Sequence, residues 1–253
     1  ETFPLPEKYV SERLRCDSVK FFADGGLSGA TAAISQPYKT LEPPRYGILR
    51  FEEAELFELA REAHRQGFRI GTHAIGDRAL DQVLRVYERL YQDSPGPRHR
   101  IEHFGLAGPE HLAKARELGI IAVPQPIFLR ELRANYQRYV PEEWLGRCFN
   151  LRALFEAGLT VAFSSDGPVV RQVEPLKGLQ AALHEPLIPG NEVSLEQALW
   201  AYTRGGAVAQ GDEGNRGSLE VGHWADLLVL GGDLRDPYSL SIYQTVVGGE
   251  VTL

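Results

Sequence analysis

Four short runs constrain the fold of this chain more than anything else in it: SVKFFADG, FRIGTHAIGD, HRIEHF and LTVAFSSDGP. In each, apolar or β-branched residues lead into a polar, ligand-type side chain, and loop or helix signals follow at once. Those side chains are Lys20, His73, His103 and Asp166. A fifth strand-like run, residues 120–123, lies between the last two and carries no ligand. Helical patterns separate the runs. From residue 51 to 66, Leu56, Phe57, Leu59, Ala60 and Ala63 recur at helical spacing, and Gly67 marks the C-cap. Asp77 reads as the cap of a helix striped by Leu80, Val83, Leu84, Tyr87 and Leu90, and residues 109–118 and 150–157 give two more helices. Strands alternating with helices imply parallel βαβ units. His73 and His103 stand 30 residues apart, which is one unit. His103 and Asp166 stand 63 apart, which is two. Lys20 and His73 stand 53 apart, one unit plus a loop holding Pro37, Pro43 and Pro44. Side chains at the C-terminal ends of successive parallel strands converge on one face, where barrel enzymes place their chemistry.

Composition removes other classes of function. A net charge of −7 speaks against nucleic acid as a partner, which needs concentrated Lys and Arg. No apolar run approaches the roughly 20 residues of a membrane span. Cys16 and Cys148 form neither a disulfide framework nor a CxxC knuckle; they are expected as buried or half-buried thiols, which suits a reducing cytoplasm. The chain contains no methionine, so its natural start is expected to lie elsewhere.

Beyond Asp166 the pattern changes. Residues 175–183 read as a helix, Ser194–Gln197 as a capping box opening another through Ala201, and residues 203–209 as its continuation. Two strand runs follow, the second a hairpin around Gly248-Gly249. The expected division is a partial barrel over residues 1–210 and sandwich strands over residues 211–253. Residues 31–46 and 127–144 are expected to wall a substrate pocket, where Tyr38, Tyr136, Tyr139 and Arg130 either line it or pack beneath it.

Two histidines, a carboxylate and a lysine meeting on one face suggest a divalent-metal hydrolase. Neutral imidazoles such as His73 and His103 suit borderline divalent metals. Asp166 can touch a cation and accept a proton from metal-activated water, or merely cap a turn before Gly-Pro. A protonated lysine repels cations, so Lys20 is a ligand only as a carbamate formed with CO2; otherwise it pairs with Asp24. Alternation puts Glu102 on the face opposite His103, paired with a neighbouring arginine. His99 is expected to face solvent, and His64, His111, His184 and His223 occupy helical or surface contexts.

The runs VKFFADG, THAIGDRAL, RHRIEHF, VPQP, FSSDGPV and GSLEVGHWADLLVL, which span essentially the whole chain, resemble the amidohydrolase superfamily, and within it amidohydrolase family 3. The resemblance implies an α/β fold: the C-terminal portion, about strands 4–8, of a (β/α)8 TIM-type barrel, plus part of a small β-sandwich. It implies that Lys20, carbamylated, bridges two metals, that His73 and His103 hold the outer metal, and that Asp166 binds the inner metal and serves as general base. The implied chemistry is hydrolysis of amide or other non-peptide C–N bonds in a small molecule by a metal-activated hydroxide, with one or two divalent metals, zinc among them, per complete chain. The family's H-x-H pair is absent here, so the chain is expected to be the C-terminal half of a larger protein, with sheet edges that favour a homo-oligomer or a completing segment. Two alternatives stand beside this one: a catalytically silent fragment that serves as a binding or association module, and a mononuclear deaminase. A carbamate on Lys20 discriminates against the deaminase.

Overall fold

The computed structural model describes residues 5–12 and 14–252; the outer limits of the two expected domains, residues 1–4 and 253, lie outside the described residues. A short antiparallel pair, β1 (Tyr9–Val10) and β2 (Arg15–Cys16), precedes a five-stranded parallel sheet. The sheet runs β3 (Ser18–Phe22), β4 (Arg69–Ala74), β5 (Arg100–His103), β6 (Ile121–Val123) and β7 (Thr160–Val161), and its spatial order is its chain order. A doubly wound sheet reverses its strand order at a switch point. This one never does.

Each crossover carries a helix: α1 (Glu53–Arg65), α2 (Asp77–Asp93), α3 (Pro109–Glu117), then α4 (Phe128–Glu131), α5 (Arg133–Tyr139) and α6 (Leu151–Glu156) between β6 and β7. The predicted stripes are buried apart from Leu59, which is half-buried. Leu56, Phe57, Ala60 and Ala63 of α1, and Leu80, Val83, Leu84, Tyr87 and Leu90 of α2, pack against one face of the sheet. Burying each large apolar side chain stabilises by roughly 1.5–3 kcal/mol, which is what holds this layer. Tyr87 anchors α2 further, its hydroxyl 2.7 Å from the Thr72 hydroxyl on β4 and 3.0 Å from the Arg100 carbonyl on β5.

The second face is covered unevenly. Helices α7 (Pro175–His184), α8 (Leu195–Tyr202, opened by the expected Ser194–Gln197 box) and α9 (Arg204–Gln210) follow β7. Val208 and Ala209 of α9 close a small apolar cluster over Ile121 and Val123 of β6 and Ala162. Along β3 the same face is open: Ser18, Lys20 and Phe22 are exposed, while Val19 and Phe21 are half-buried. Parallel strands are usually covered on both sides, so this is the departure that defines the molecule's shape. Beyond α9, β8 (Leu227–Gly231), β9 (Ser241–Val247) and β10 (Glu250–Val251) form a separate antiparallel sheet, with Gly248 and Gly249 turning the hairpin at φ of 59° and 85°. Among the described residues, no helix is long and apolar enough to cross a membrane.

Two local expectations are corrected. Asp77 is not the cap of α2; Gly76 holds that position, and the Asp77 carboxylate instead accepts from the Ser35 backbone N–H at 2.9 Å and its hydroxyl at 2.6 Å. His99 does not face solvent. It is fully buried, with Nε2 2.8 Å from Nδ1 of His64 and Nδ1 accepting from the Ile70 N–H at 3.2 Å. His64 and His111 are buried as well, although both lie on helices.

Candidate metal centre

Register explains how separate strand ends meet. Lys20 on β3 lies beside Gly71 on β4, which lies beside Arg100 on β5; one rung further on, Phe22, His73 and Glu102 form the next row. A Cβ at Gly71 would stand 2.8 Å from Glu102 Oε1 and 3.1 Å from Arg100 Nε, so glycine there opens a lane across β4. Arg100 Nε donates to Glu102 Oε1 at 2.6 Å, the expected arginine pairing.

His103 would point to the other face if β5 stayed regular. It does not. His103 has φ of 75° and Phe104 φ of 52°, so the backbone turns left-handed at the strand end. The imidazole thereby returns to the face of His73, with ring centroids 4.4 Å apart and planes at 68°. Glu102 is therefore not on the opposite face from His103: it faces the same lane as Lys20 and Asp166, and its charge acts on both. Left-handed backbone in non-glycine residues costs about 1–2 kcal/mol and is held only where the surroundings over-determine it. Asp166, at φ of 54°, shares the feature.

The two histidines are set in different ways. His73 Nε2 lies 3.0 Å from the Gly25 carbonyl and 3.3 Å from Asp24 Oδ1, so that nitrogen donates its proton and Nδ1 keeps its lone pair. The Phe22 ring packs on His73 at 5.4 Å. His103 Nδ1 lies 2.6 Å from Gln125 Oε1, leaving Nε2 with its lone pair free, and Phe128 stacks on the ring at 5.9 Å and 13°. Burial, with smaller contributions from His73 and Lys20, pushes His103 down to about 3, so the ring is neutral at ordinary pH.

Asp166 is half-buried. That burial raises its carboxyl above the ordinary range, against the pull of Lys20 and His73. Lys20 is exposed as a residue, yet its ammonium end is partly desolvated. This lowers its pKa, opposed by Glu102 and Asp166. Lys20 Nζ sits 4.8 Å over the Phe22 ring. It is not paired with Asp24, whose buried carboxylate accepts from the backbone N–H groups of Ala33, Ile75 and Gly76 at 2.9, 3.1 and 2.8 Å.

Two imidazoles on adjacent strand ends, each with one ring nitrogen outside these hydrogen bonds, suit a divalent cation. No cluster of three or more His, Cys, Asp or Glu side chains spaced to hold a metal occurs among the described residues, so these histidines need further donors. Lys20 and Asp166 flank them on the same face. The expected pocket wall resolves mostly into packing. Tyr38 and Tyr136 are buried in the core, and Arg130 forms a two-pronged pair with Glu185. The segment still roofs the strand ends, since Asn135 Nδ2 donates to the Ser28 carbonyl at 3.1 Å and Lys39 N–H to the Tyr139 carbonyl at 2.9 Å. Asp24 and Gln125 were not singled out as site residues by their types; both act through contacts distant in sequence.

The amidohydrolase family model matches residues 3–253. YtcJ of Bacillus subtilis is 30% identical over 97% of this chain and 48% of its own length. The N-substituted formamide deformylase of Arthrobacter pascens is 30% identical over 96% of this chain and 46% of its own. The crystal structure of an uncharacterized metal-dependent hydrolase from Pyrococcus furiosus superposes with a TM-score of 0.77 at 32% identity, covering 85% of this chain and 44% of that one. The chain thus spans about half the length of the relatives it matches.

Proposed function

The chain belongs to the amidohydrolase family, within its family 3 branch, and from that premise we propose that it forms the C-terminal part of a metal-dependent hydrolase acting on amide or other non-peptide C–N bonds of a small molecule. The observation that carries this reading is the His73–His103 pair, whose rings are 4.4 Å apart with Nδ1 and Nε2 respectively left free. The unreversed five-strand order supports residues 1–210 as an arc of a TIM-type barrel, and the separate β8–β10 sheet supports residues 211–253 as sandwich strands.

His73, His103, Asp166 and Lys20 would hold the cation, Lys20 after its neutral amine adds to CO2 and releases a proton to become a carbamate. Zinc suits such a donor set. When bound, a divalent ion supplies a Lewis acid and lowers the pKa of water to about 7. The chain's own part is proton handling. Asp166, with its carboxyl raised by burial, takes a proton at its carboxylate oxygen and returns it to the leaving nitrogen. Gln125 and the Gly25 carbonyl keep the two imidazoles oriented. The negative net charge supports a small-molecule substrate over nucleic acid, and two unpaired thiols support a cytoplasmic site of action.

A second reading, an association module without catalysis, draws on the exposed face of β3 and the incomplete donor set. Elemental analysis of the protein after zinc loading decides between them. Retained zinc that falls on His73→Ala or His103→Ala supports the hydrolase. No zinc retained by the wild type would overturn it.

A further inference from the structure

We infer that Gln125 is a positioning residue, whose amide holds His103 in a single tautomer and ties the Asp166 turn to the same point. The inference rests on the reading of His103 as a metal ligand and goes beyond it by assigning the residue that aims the donor atom.

Gln125 lies just past β6, is 2% exposed, and bridges three strand ends. Its Nε2 donates to the Val123 carbonyl at 2.8 Å and lies 2.8 Å from the Ser164 hydroxyl. Its Oε1 lies 2.6 Å from His103 Nδ1. The Val123 carbonyl can only accept, which fixes which end of the amide is nitrogen: the flipped amide would set two oxygens against each other in a buried space. Oε1 must then accept, so His103 Nδ1 must carry the proton and Nε2 must carry the lone pair. Chain geometry makes the amide hard to move. Pro124 and Pro126 flank it, each with φ locked by its ring, and the Pro124 carbonyl accepts from the Ser164 N–H at 3.2 Å. Ser164 stands two residues before Asp166, so the same amide also links the β5 end to the turn carrying the carboxylate.

A purely packing residue would be indifferent to the tautomer of its neighbour. Metal-ligating histidines commonly depend on the partner of their second nitrogen, and loss of that partner weakens metal binding by 10–100-fold. A neutral amide is a selective partner here, because it accepts from Nδ1 without placing a charge beside a buried ring.

The test is the ring tautomer, read by long-range 1H–15N correlation on 15N-histidine-labelled, metal-free protein at pH 7. Wild-type His103 is expected wholly in the Nδ1–H form. Gln125→Leu should populate the Nε2–H form and weaken Zn2+ binding 10–100-fold. The buried His64 and His99 rings, remote from Gln125, report whether the variant is folded. An Nδ1–H tautomer unchanged in folded Gln125→Leu, or an Nε2–H tautomer in the wild type, would each overturn the inference. Since the tautomer is read without metal, Gln125 is decided even if the wild type binds no zinc, the result that would sink the hydrolase reading instead.

Discussion

Asp24→Asn is the substitution that most directly couples the fold to the candidate site. The carboxylate is 0% exposed, accepts from Ile75 N–H through Oδ1 at 3.1 Å, and accepts from Ala33 and Gly76 N–H through Oδ2 at 2.9 and 2.8 Å. It thereby pins the loop after β3 to the loop after β4, and Oδ1 also stands 3.3 Å from His73 Nε2. Asparagine keeps the shape but turns one oxygen into a donor. With NH2 at the Oδ1 position, the Ile75 N–H loses its acceptor and His73 Nε2 keeps only the Gly25 carbonyl; at the Oδ2 position, two backbone N–H groups lose theirs. Hydrogen bonds to charged groups contribute about 1.5–3 kcal/mol each and neutral ones about 0.5–1.5. Losing one such bond and weakening two others from charged to neutral therefore costs about 3–5 kcal/mol, a large part of the 5–15 kcal/mol that typically separates folded from unfolded states. Urea unfolding followed by circular dichroism measures this directly, with an unchanged slope confirming that the same structure unfolds. A loss below about 1 kcal/mol would refute the view that this carboxylate organises the strand ends.

Acidification should destabilise the protein through His99. Burial and the neighbouring His64 push it down to about 3 from an ordinary 6.5, so the unfolded chain takes up the proton first and stability falls as pH drops from 6.5 toward 3. At 1.36 kcal/mol per unit this amounts to about 2 kcal/mol at pH 5, so His99→Gln should lose about 2 kcal/mol less than wild type between pH 7 and pH 5; equal losses would count against it. Gly76→Ala should destabilise by about 1–3 kcal/mol or more, because its Cβ would stand 1.9 Å from the Ala33 carbonyl oxygen, and an unaltered Tm would contradict that packing.

The βα rhythm was legible because it depends on local period and spacing. The runs ending at Lys20, His73, His103 and Asp166 became β3, β4, β5 and the segment just beyond β7, and the capping box and glycine hairpin appeared where their chemistry requires. Legibility ended where the backbone left its regular path or where a partner came from far along the chain. Period-two alternation separates Glu102 from His103, and the left-handed turn at His103 brings them to one face. His99, at the start of its strand, reads as solvent-facing, but its environment comes from His64, 35 residues away, and from Tyr91, which stacks on it. Tyr38 could line a pocket or pack beneath it. Its hydroxyl donates to the Ala32 carbonyl within the core, which only the fold decides.

The site divides into a half that is set and a half that is open. On the β4–β6 side every orienting element is supplied: Asp24 and the Gly25 carbonyl for His73, Gln125 and Phe128 for His103, and the lane over Gly71 for the Arg100–Glu102 pair. His103 there, and Asp166 just beyond β7, occupy backbone conformations that isolated chains avoid. The Gln125 hydrogen bond holds the His103 ring, so the direction of its lone pair is fixed before any ligand arrives. On the β3 side, Lys20 rests over the ring of Phe22 on a face open to solvent. A cation there satisfies the ring face, and a carbamate would not, because the negative face of the ring repels an anion. A Lys20 carbamate, if it forms, would therefore have to leave the Phe22 ring. The space over Gly71 is already taken by Glu102 Oε1 and Arg100 Nε, so the two side chains flanking that glycine would have to give way first.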